Sequence, residues 1–278
     1  MRFLGTRRTP RPAAAILGVP YDGTQSYRRG AAQGPEAIRA ASWSLETYSP
    51  EWKRDLQAHL TVADLGDLSV AGLDPSAMVE AVARAVASLD ANTAPVLLGG
   101  DHTLTLGAVR ALAARHPDLM VVQLDAHADL REAYEGNRLS HACVMRRVWE
   151  AVGDRRIVQL GIRSGTPEEF AFARAHCRWS LGALIVPDTV RHELQQAPVY
   201  LTLDLDVLDP AFVPGVGNPE PGGPSFQELC GALRNLGRLR VVGLDVVELA
   251  PPMDPSGVSA VVAAKLLREL LLQFFTAG

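Results

Sequence analysis

The chain has 278 residues, of which 47% are hydrophobic, and a formal net charge of −4. That length can bury a sizeable core, and the mild acidity leaves no basic footprint for nucleic acid. No apolar run reaches membrane-spanning length without a charge, and Cys143, Cys177 and Cys230 are too scattered for a disulfide framework or a structural zinc, so a reducing cytoplasm is the default.

Arg7, Arg8 and Arg11 lack a following apolar run and read as a solvated end rather than a signal peptide. Ala13 to Val19 predicts a first strand, and the polar, glycine-marked stretch from Tyr21 to Gly30 a loop. Gly34-Pro35-Glu36 opens a helix through about Ser42, with Pro35 at a tolerated first position. Thr61 to Leu65 predicts a second strand, and Asp74-Pro75 starts a helix with Met78, Val79, Val82, Val86 and Leu89 on one face. Ala94 to Leu98 is a strand running into Gly99-Gly100-Asp101-His102, followed by a helix from Thr103 to about Arg115. Leu119 to Leu124 reads as a buried parallel strand and runs into Asp125-Ala126-His127-Ala128-Asp129. The polar stretch from Leu130 to His141 predicts a surface loop, with Ser140 capping a helix from about His141 to Ala151. Arg156 to Gly161 and Ala183 to Val186 predict strands on either side of a helix over Pro167 to His176. Pro198 to Leu203 is a strand feeding Asp204-Leu205-Asp206, and the proline- and glycine-rich run from Asp209 to Pro224 predicts a fixed loop around a site. Ser225 to Leu236 is helical, Arg240 to Val247 is a last strand ending in Glu248, and Ser256 to Phe275 is a long helix. Strands alternating with helices predict a parallel sheet covered on both faces. With no repeat, linker or low-complexity segment, one domain over residues 1–278 is expected.

Alternate residues of an extended chain share a face, so Asp125, His127 and Asp129 converge where their strand ends, and open α/β sheets bind ligands there. Two carboxylates and an imidazole suit Mn, Zn or Fe better than Ca. Taken alone, this Asp-x-His-x-Asp pattern is equally consistent with residues that close a strand and cap a turn. His102, the Asp204–Asp206 pair and Glu248 place similar groups at three further strand ends. So many like charges in one place repel severely unless cations sit among them. Two histidines and four aspartates can hold two divalent ions, and such a pair lowers the pKa of bound water toward about 7, which makes a hydrolase the leading class.

Three stretches together resemble the signature regions of the ureohydrolases, the family of arginase and agmatinase. They are Gly99-Gly100-Asp101-His102; Asp125-Ala126-His127-Ala128-Asp129; and Asp204-Leu205-Asp206-Val207-Leu208-Asp209-Pro210, continued by Gly217-Asn218-Pro219-Glu220-Pro221-Gly222-Gly223. The resemblance covers nearly the whole chain. It implies a three-layer α/β/α fold with a mostly parallel sheet of about eight strands, and two Mn2+ per chain. His102, Asp125, Asp129 and Asp204 would hold one ion, and Asp125, His127, Asp204 and Asp206 the other. Asp129 would also accept a hydrogen bond from a bridging hydroxide, Glu248 would pair with the substrate guanidinium, and His141 would bind near it and shuttle protons. The family usually has Thr where this chain has Asn218, which bears on substrate fit.

The resemblance further implies hydrolysis of a small guanidino substrate to urea and an amine, and a homo-trimer or homo-hexamer. Leu45 to Pro50 and Ser140 to Arg147 look like agmatinases of the prokaryotic type, and the 130–139 loop lacks the serine- and threonine-rich character of arginases. Agmatine is therefore the expected substrate, giving putrescine; aminopropylagmatine, arginine and guanidino acids are alternatives. Glu132 or Glu135 would suit the ammonium tail of agmatine, whereas Arg131 and Arg138 would suit a carboxylate. A non-catalytic metal-binding relative and a single-zinc deacylase are the competing classes, and counting bound ions separates them.

Overall fold

Short aliphatic and β-branched runs cannot cover themselves, so they pair side by side and take amphipathic helices on both faces. A computed structural model of the chain describes residues 1–6 and 10–275; the predicted solvated arginines Arg7 and Arg8 fall outside them. In chain order the elements are β1 (Ala14–Val19), α1 (Gly34–Ser42), a small hairpin of β2 (Tyr48–Ser49) and β3 (Arg54–Asp55), α2 (Leu56–His59), β4 (Val62–Asp67) and α3 (Pro75–Ala87). Then come β5 (Ala94–Gly99), α4 (Leu104–Arg115), β6 (Met120–Leu124), α5 (Val144–Val152), β7 (Ile157–Leu160), α6 (Pro167–His176) and β8 (Trp179–Leu181). The chain finishes with α7 (Asp188–Gln196), β9 (Pro198–Asp204), α8 (Phe226–Leu236), β10 (Arg240–Val247) and α9 (Val258–Phe274).

Eight strands form one sheet in the order β4-β1-β5-β10-β9-β6-β7-β8, and every pairing in it is parallel. The chain lays down both flanks first and fills the gap between β5 and β6 with its last two strands. Helices α1, α7, α8 and α9 pack on one face, where Ile38, Leu194, Leu229 and Leu267 meet Ile16, Leu98 and Leu203. Helices α3, α4, α5 and α6 cover the other, where Val82, Leu106, Val148 and Ala173 meet Leu17, Leu97 and Val121. Neighbouring strand residues thus serve opposite cores, which the two-residue period of a strand requires. The expected three-layer arrangement around an eight-stranded parallel sheet is present. No helix among the described residues is long and apolar enough to cross a membrane.

Two local expectations need correction. The strand predicted at Ala183 to Val186 lies earlier, at Trp179–Leu181, where Val158 faces Trp179 and Leu160 faces Leu181 across the β7 edge. Register with the partner strand, not apolar density, decides which residues pair. Ser140 makes no side-chain capping bond; the segment starts with a 3-10 turn over His141–Cys143, and α5 follows from Val144. On the β4 edge, separated from β5 by β1, Arg39 of α1 forks onto Asp64 at 2.8 and 3.0 Å.

Candidate metal centre and substrate cleft

The four adjacent strands β5, β10, β9 and β6 end on the same edge of the sheet, because all are parallel. Their ends carry His102, Glu248, the Asp204–Asp206 pair and the Asp125–Asp129 segment. His102, His127, Asp129, His141, Asp204, Asp206 and Glu248 line a common cleft of about 370 Å³. Asp125 is fully buried. Asp129 and Glu248 adopt φ of 53° and 69°, a left-handed backbone that residues with a side chain rarely take. Each is locked from outside: the Asp129 carbonyl accepts the N–H groups of Met145 (3.0 Å) and Arg146 (3.2 Å), and the Glu248 N–H donates to Gly100 O at 3.0 Å.

His102 shows what the centre is built to receive. The Thr202 hydroxyl donates to Asp245 Oδ1 (2.6 Å), so it accepts from His102 Nε2, 2.7 Å away. Asp245, buried within β10, also takes the hydroxyls of Tyr200 (2.6 Å) and Thr105 (2.7 Å). This fixes the ring with its Nε2 protonated and its Nδ1 lone pair turned to Asp125 and Asp129 (both 3.2 Å) and to Asp204 (3.4 Å). That nitrogen is buried and has no hydrogen-bond partner. A lone pair among three carboxylate oxygens calls for a positive charge between them, a metal ion or, in its absence, the proton that these carboxylates favour on the ring.

A second group lies beside the first. His127 Nδ1 is 2.9 Å from Asp206 Oδ2 and 3.8 Å from Asp125 Oδ1. The ligand atoms of His102, Asp125 and Asp129, and those of Asp125, His127 and Asp206, each lie within 4.8 Å of one another. Asp125 is common to both groups, and Asp204 borders the first through His102, so the donor set fits two cations sharing a carboxylate. Backbone N–H groups hold the carboxylates in place: His127 N donates to Asp125 Oδ1 (2.7 Å), Ala126 N to Asp206 Oδ1 (3.1 Å) and Asp206 N to Asp204 Oδ1 (2.8 Å).

Glu248 accepts the His102 N–H at 2.7 Å and the Gln25 side-chain amide at 2.5 Å. His141 sits across the cleft. Thr24 Oγ1 donates to Asp101 Oδ2 (3.0 Å) and therefore accepts from His141 Nδ1 at 3.2 Å, which leaves Nε2 facing Ser26 Oγ at 3.2 Å.

Comparison with known proteins follows the same lines. The arginase family model matches residues 12–273. The chain belongs to the arginase family. Its sequence is 39% identical to the agmatinase of Bacillus subtilis, over 98% of this chain and 96% of that one. It is 43% identical to the N(1)-aminopropylagmatine ureohydrolase of Thermococcus kodakarensis, over 91% of this chain and 87% of that one. Among solved structures, proclavaminate amidino hydrolase from Streptomyces clavuligerus superposes with a TM-score of 0.90 at 34% identity, covering 98% of this chain and 96% of that chain. The protein is an agmatinase-like ureohydrolase of this family.

In this arginase-family cleft the structure brings together all six predicted metal-ligating residues, with Glu248 and His141. It does not bring in the two loop acids proposed for a substrate tail. Glu132 is held by Arg138 (2.8 Å), Arg146 and Arg147 (both 3.2 Å), and neither it nor Glu135 lines the cleft. Arg138 is likewise absent from the cleft, whereas Arg131 lines it. Residues not anticipated are Thr24, Gln25 and Ser26 after β1 and Glu169 at the mouth; Glu220, also at the mouth, belongs to the third signature stretch, where the resemblance gives it no role of its own. The only signal for the first three was their place just after a strand end. Cys143, two residues past His141, is buried and its thiol is pushed up to about 11, so it is an inert packing group.

Without cations, protons compensate the charge. Asp125 is pushed up to about 7 by burial and by Asp206 and Asp129, and Glu248 to about 8 by burial and by Asp101. Burial opposes charge on His127, but Asp206 outweighs it and carries the ring up to about 11. All three groups hold more protons in the folded than in the unfolded chain between about pH 6.5 and 7, and Glu248 and His127 continue to do so toward pH 8, so stability falls as pH rises there. Asp206, buried but held down by His127, has the opposite sign, in a window below about pH 4. Chelator-treated protein is therefore expected to melt at a lower temperature at pH 8 than at pH 6.5, and added Mn2+ to flatten the difference. Thermal denaturation across that range checks this; a metal-free protein equally stable at both ends contradicts it.

Proposed function

We propose that the chain, acting as one ureohydrolase domain, hydrolyses agmatine to putrescine and urea with two Mn2+. His102, Asp125, Asp129 and Asp204 hold one ion, and Asp125, His127, Asp204 and Asp206 the other. The observation that carries this is the partnerless Nδ1 of His102 among three carboxylates, beside a second ligand group that shares Asp125. Bound in that set, the ions lower the pKa of water and so supply a nucleophile at neutral pH. The residues of the chain do the rest. The Glu248 carboxylate accepts the planar fork of the guanidinium and holds its carbon over the ligand edge of the cleft. Asp129 accepts a hydrogen bond from the attacking group. His141, steadied through Thr24 by Asp101, carries a proton to the leaving amine from Nε2.

The mouth of the cleft favours a cationic tail. Arg131 is 3.4 Å from the Glu169 carboxylate and stacks on Tyr134 at 5.1 Å, so it is already paired. Glu220 also lines the cleft, and among the described residues its carboxylate has no hydrogen-bond or ion-pair partner. A free carboxylate there suits an ammonium and repels the carboxylate of a guanidino acid. Family resemblance supports a homo-trimer or homo-hexamer, and Val258 and Val261 remain exposed on α9. The three free thiols accord with a cytoplasmic location.

Urea release from a panel of guanidino compounds with Mn2+, together with ion counts per chain, tests the assignment. Agmatine is expected to lead the panel, and Glu220→Gln to raise its KM about tenfold while leaving guanidino acids unaffected or improved. A clear preference for arginine sinks the agmatine assignment. Two bound ions with no urea from any compound would mark a non-catalytic relative.

A further inference from the structure

Arg163 lies in the loop after β7, and none of the roles above uses it. Its guanidinium bonds only to backbone carbonyls. Nε reaches Glu220 O and Pro221 O, both at 3.2 Å. Nη1 reaches Gly161 O at 3.2 Å and Val207 O at 3.1 Å. Nη2 reaches Asp206 O at 2.8 Å and Glu220 O at 2.6 Å. Its own backbone N–H donates to Ala126 O at 2.8 Å, between Asp125 and His127. A Cβ on Gly223 would fall 2.7 Å from Nη2, so a glycine there admits the fork.

One residue thus ties together the three segments on which the site depends: the Asp125–His127 run, the turn bearing Asp206, and the mouth loop bearing Glu220. The five donors of a guanidinium lie in one plane and reach five carbonyls at once; an ammonium on a flexible stem cannot. Glu220 sits in an irregular segment rich in proline and glycine, with no strand partner of its own to hold it. The Asp206 carbonyl and the Glu220 carbonyl are bonded to the same nitrogen, so the distance between the ligand turn and the mouth loop is set there.

We propose that Arg163 is a positioning residue that holds the Asp206 ligand and the Glu220 loop in register with the Asp125–His127 segment. It thereby sets the affinity for the second ion and for the substrate tail. This rests on the metal-centre reading above. Carbonyl-bonded arginines also serve as plain loop staples, and that role would lower stability without touching ion or substrate affinity.

The test compares wild type, Arg163→Met, Arg163→Lys and, as a destabilised control, Arg39→Met. Each chelator-treated protein is titrated with Mn2+ by calorimetry, ions are counted per chain after dialysis, and melting temperature, KM and kcat for agmatine are measured. For Arg163→Met the second ion is expected to bind at least about tenfold more weakly, with the first close to wild type. KM should rise about tenfold while kcat at saturating Mn2+ changes much less. Arg163→Lys, which keeps the charge and loses the fork, should resemble it. Arg39→Met should lose melting temperature yet retain both ions and the wild-type KM. Wild-type ion affinity and KM in Arg163→Met, or loss of the second ion in Arg39→Met as well, overturns the proposal. Should Arg163→Met fail to fold, Arg163→Lys decides by the same criteria. A wild-type protein that takes up fewer than two ions overturns the metal-centre reading and this proposal together; a two-ion wild type with unaltered variants overturns this proposal alone.

Discussion

Asp125→Asn is expected to reduce urea release by roughly 10³-fold or more and to leave fewer than two ions per chain. Asp125 is a carboxylate common to both proposed ligand sets and belongs to both close-packed triads, so the substitution removes one negative charge from each. It also damages local bonding. Oδ1 accepts the His127 N–H at 2.7 Å and Oδ2 accepts the Gln123 amide at 2.7 Å. An asparagine amide must turn its NH2 toward one of these donors, at a cost of about 1–3 kcal/mol. Against that, a neutral group no longer repels Asp206 and Asp129, the neighbours that help push Asp125 up to about 7. The metal-free variant should therefore melt close to wild type while losing its function. Metal analysis beside a urea assay checks the pair of effects, and a variant that keeps two ions and most of its activity would refute the shared-ligand assignment.

Glu248→Gln is expected to lower kcat/KM by about 10² to 10³-fold with both ions still bound. Glu248 belongs to neither ligand group, which separates this variant from Asp125→Asn. Its two oxygens each take one donor, from His102 N–H and from Gln25, and the residue lines the cleft. Removing the charge opposite a buried guanidinium costs about 2–5 kcal/mol. The pH profile gives a second readout. Burial and Asp101 push Glu248 up to about 8 before any cation binds, and only the ionised form pairs with a guanidinium. Activity should rise with pH as Glu248 ionises, at or below about pH 8, and the variant should lack that rising limb. A variant with wild-type kcat/KM, or one that sheds an ion, would remove Glu248 from the role of guanidinium partner.

The sequence made the metal-ligating side of the site readable because its side chains sit within five residues of the carboxyl ends of apolar parallel strands, which the sheet brings to one edge. Helices with strong start signals, such as α1 behind Pro35 and α6 behind Thr166-Pro167, begin and end where local chemistry predicts. Helix α7 was hidden because it is polar, with only Val190 and Leu194 buried. Strand β8 was hidden because its pairing partner, not its own composition, sets its position. The substrate mouth was hardest to read. Glu132 and Glu220 are equally acidic on paper, and only the folded loops show that three arginines engage the carboxylate of the first and none that of the second, which meets Arg163 through its backbone carbonyl alone. Arg163 carries no sequence signal at all, since its partners are main-chain carbonyls up to 58 residues away.

The left-handed conformations of Asp129 and Glu248 have an evolutionary consequence. A change to glycine at either position would relax the main chain by about 1 kcal/mol, so selection for folding alone would not oppose it. A lineage released from the need for turnover should shed these two acids early and keep its scaffold. A homologue with glycine at either place would then be recognisable as a retired copy, however closely the rest of its chain matches.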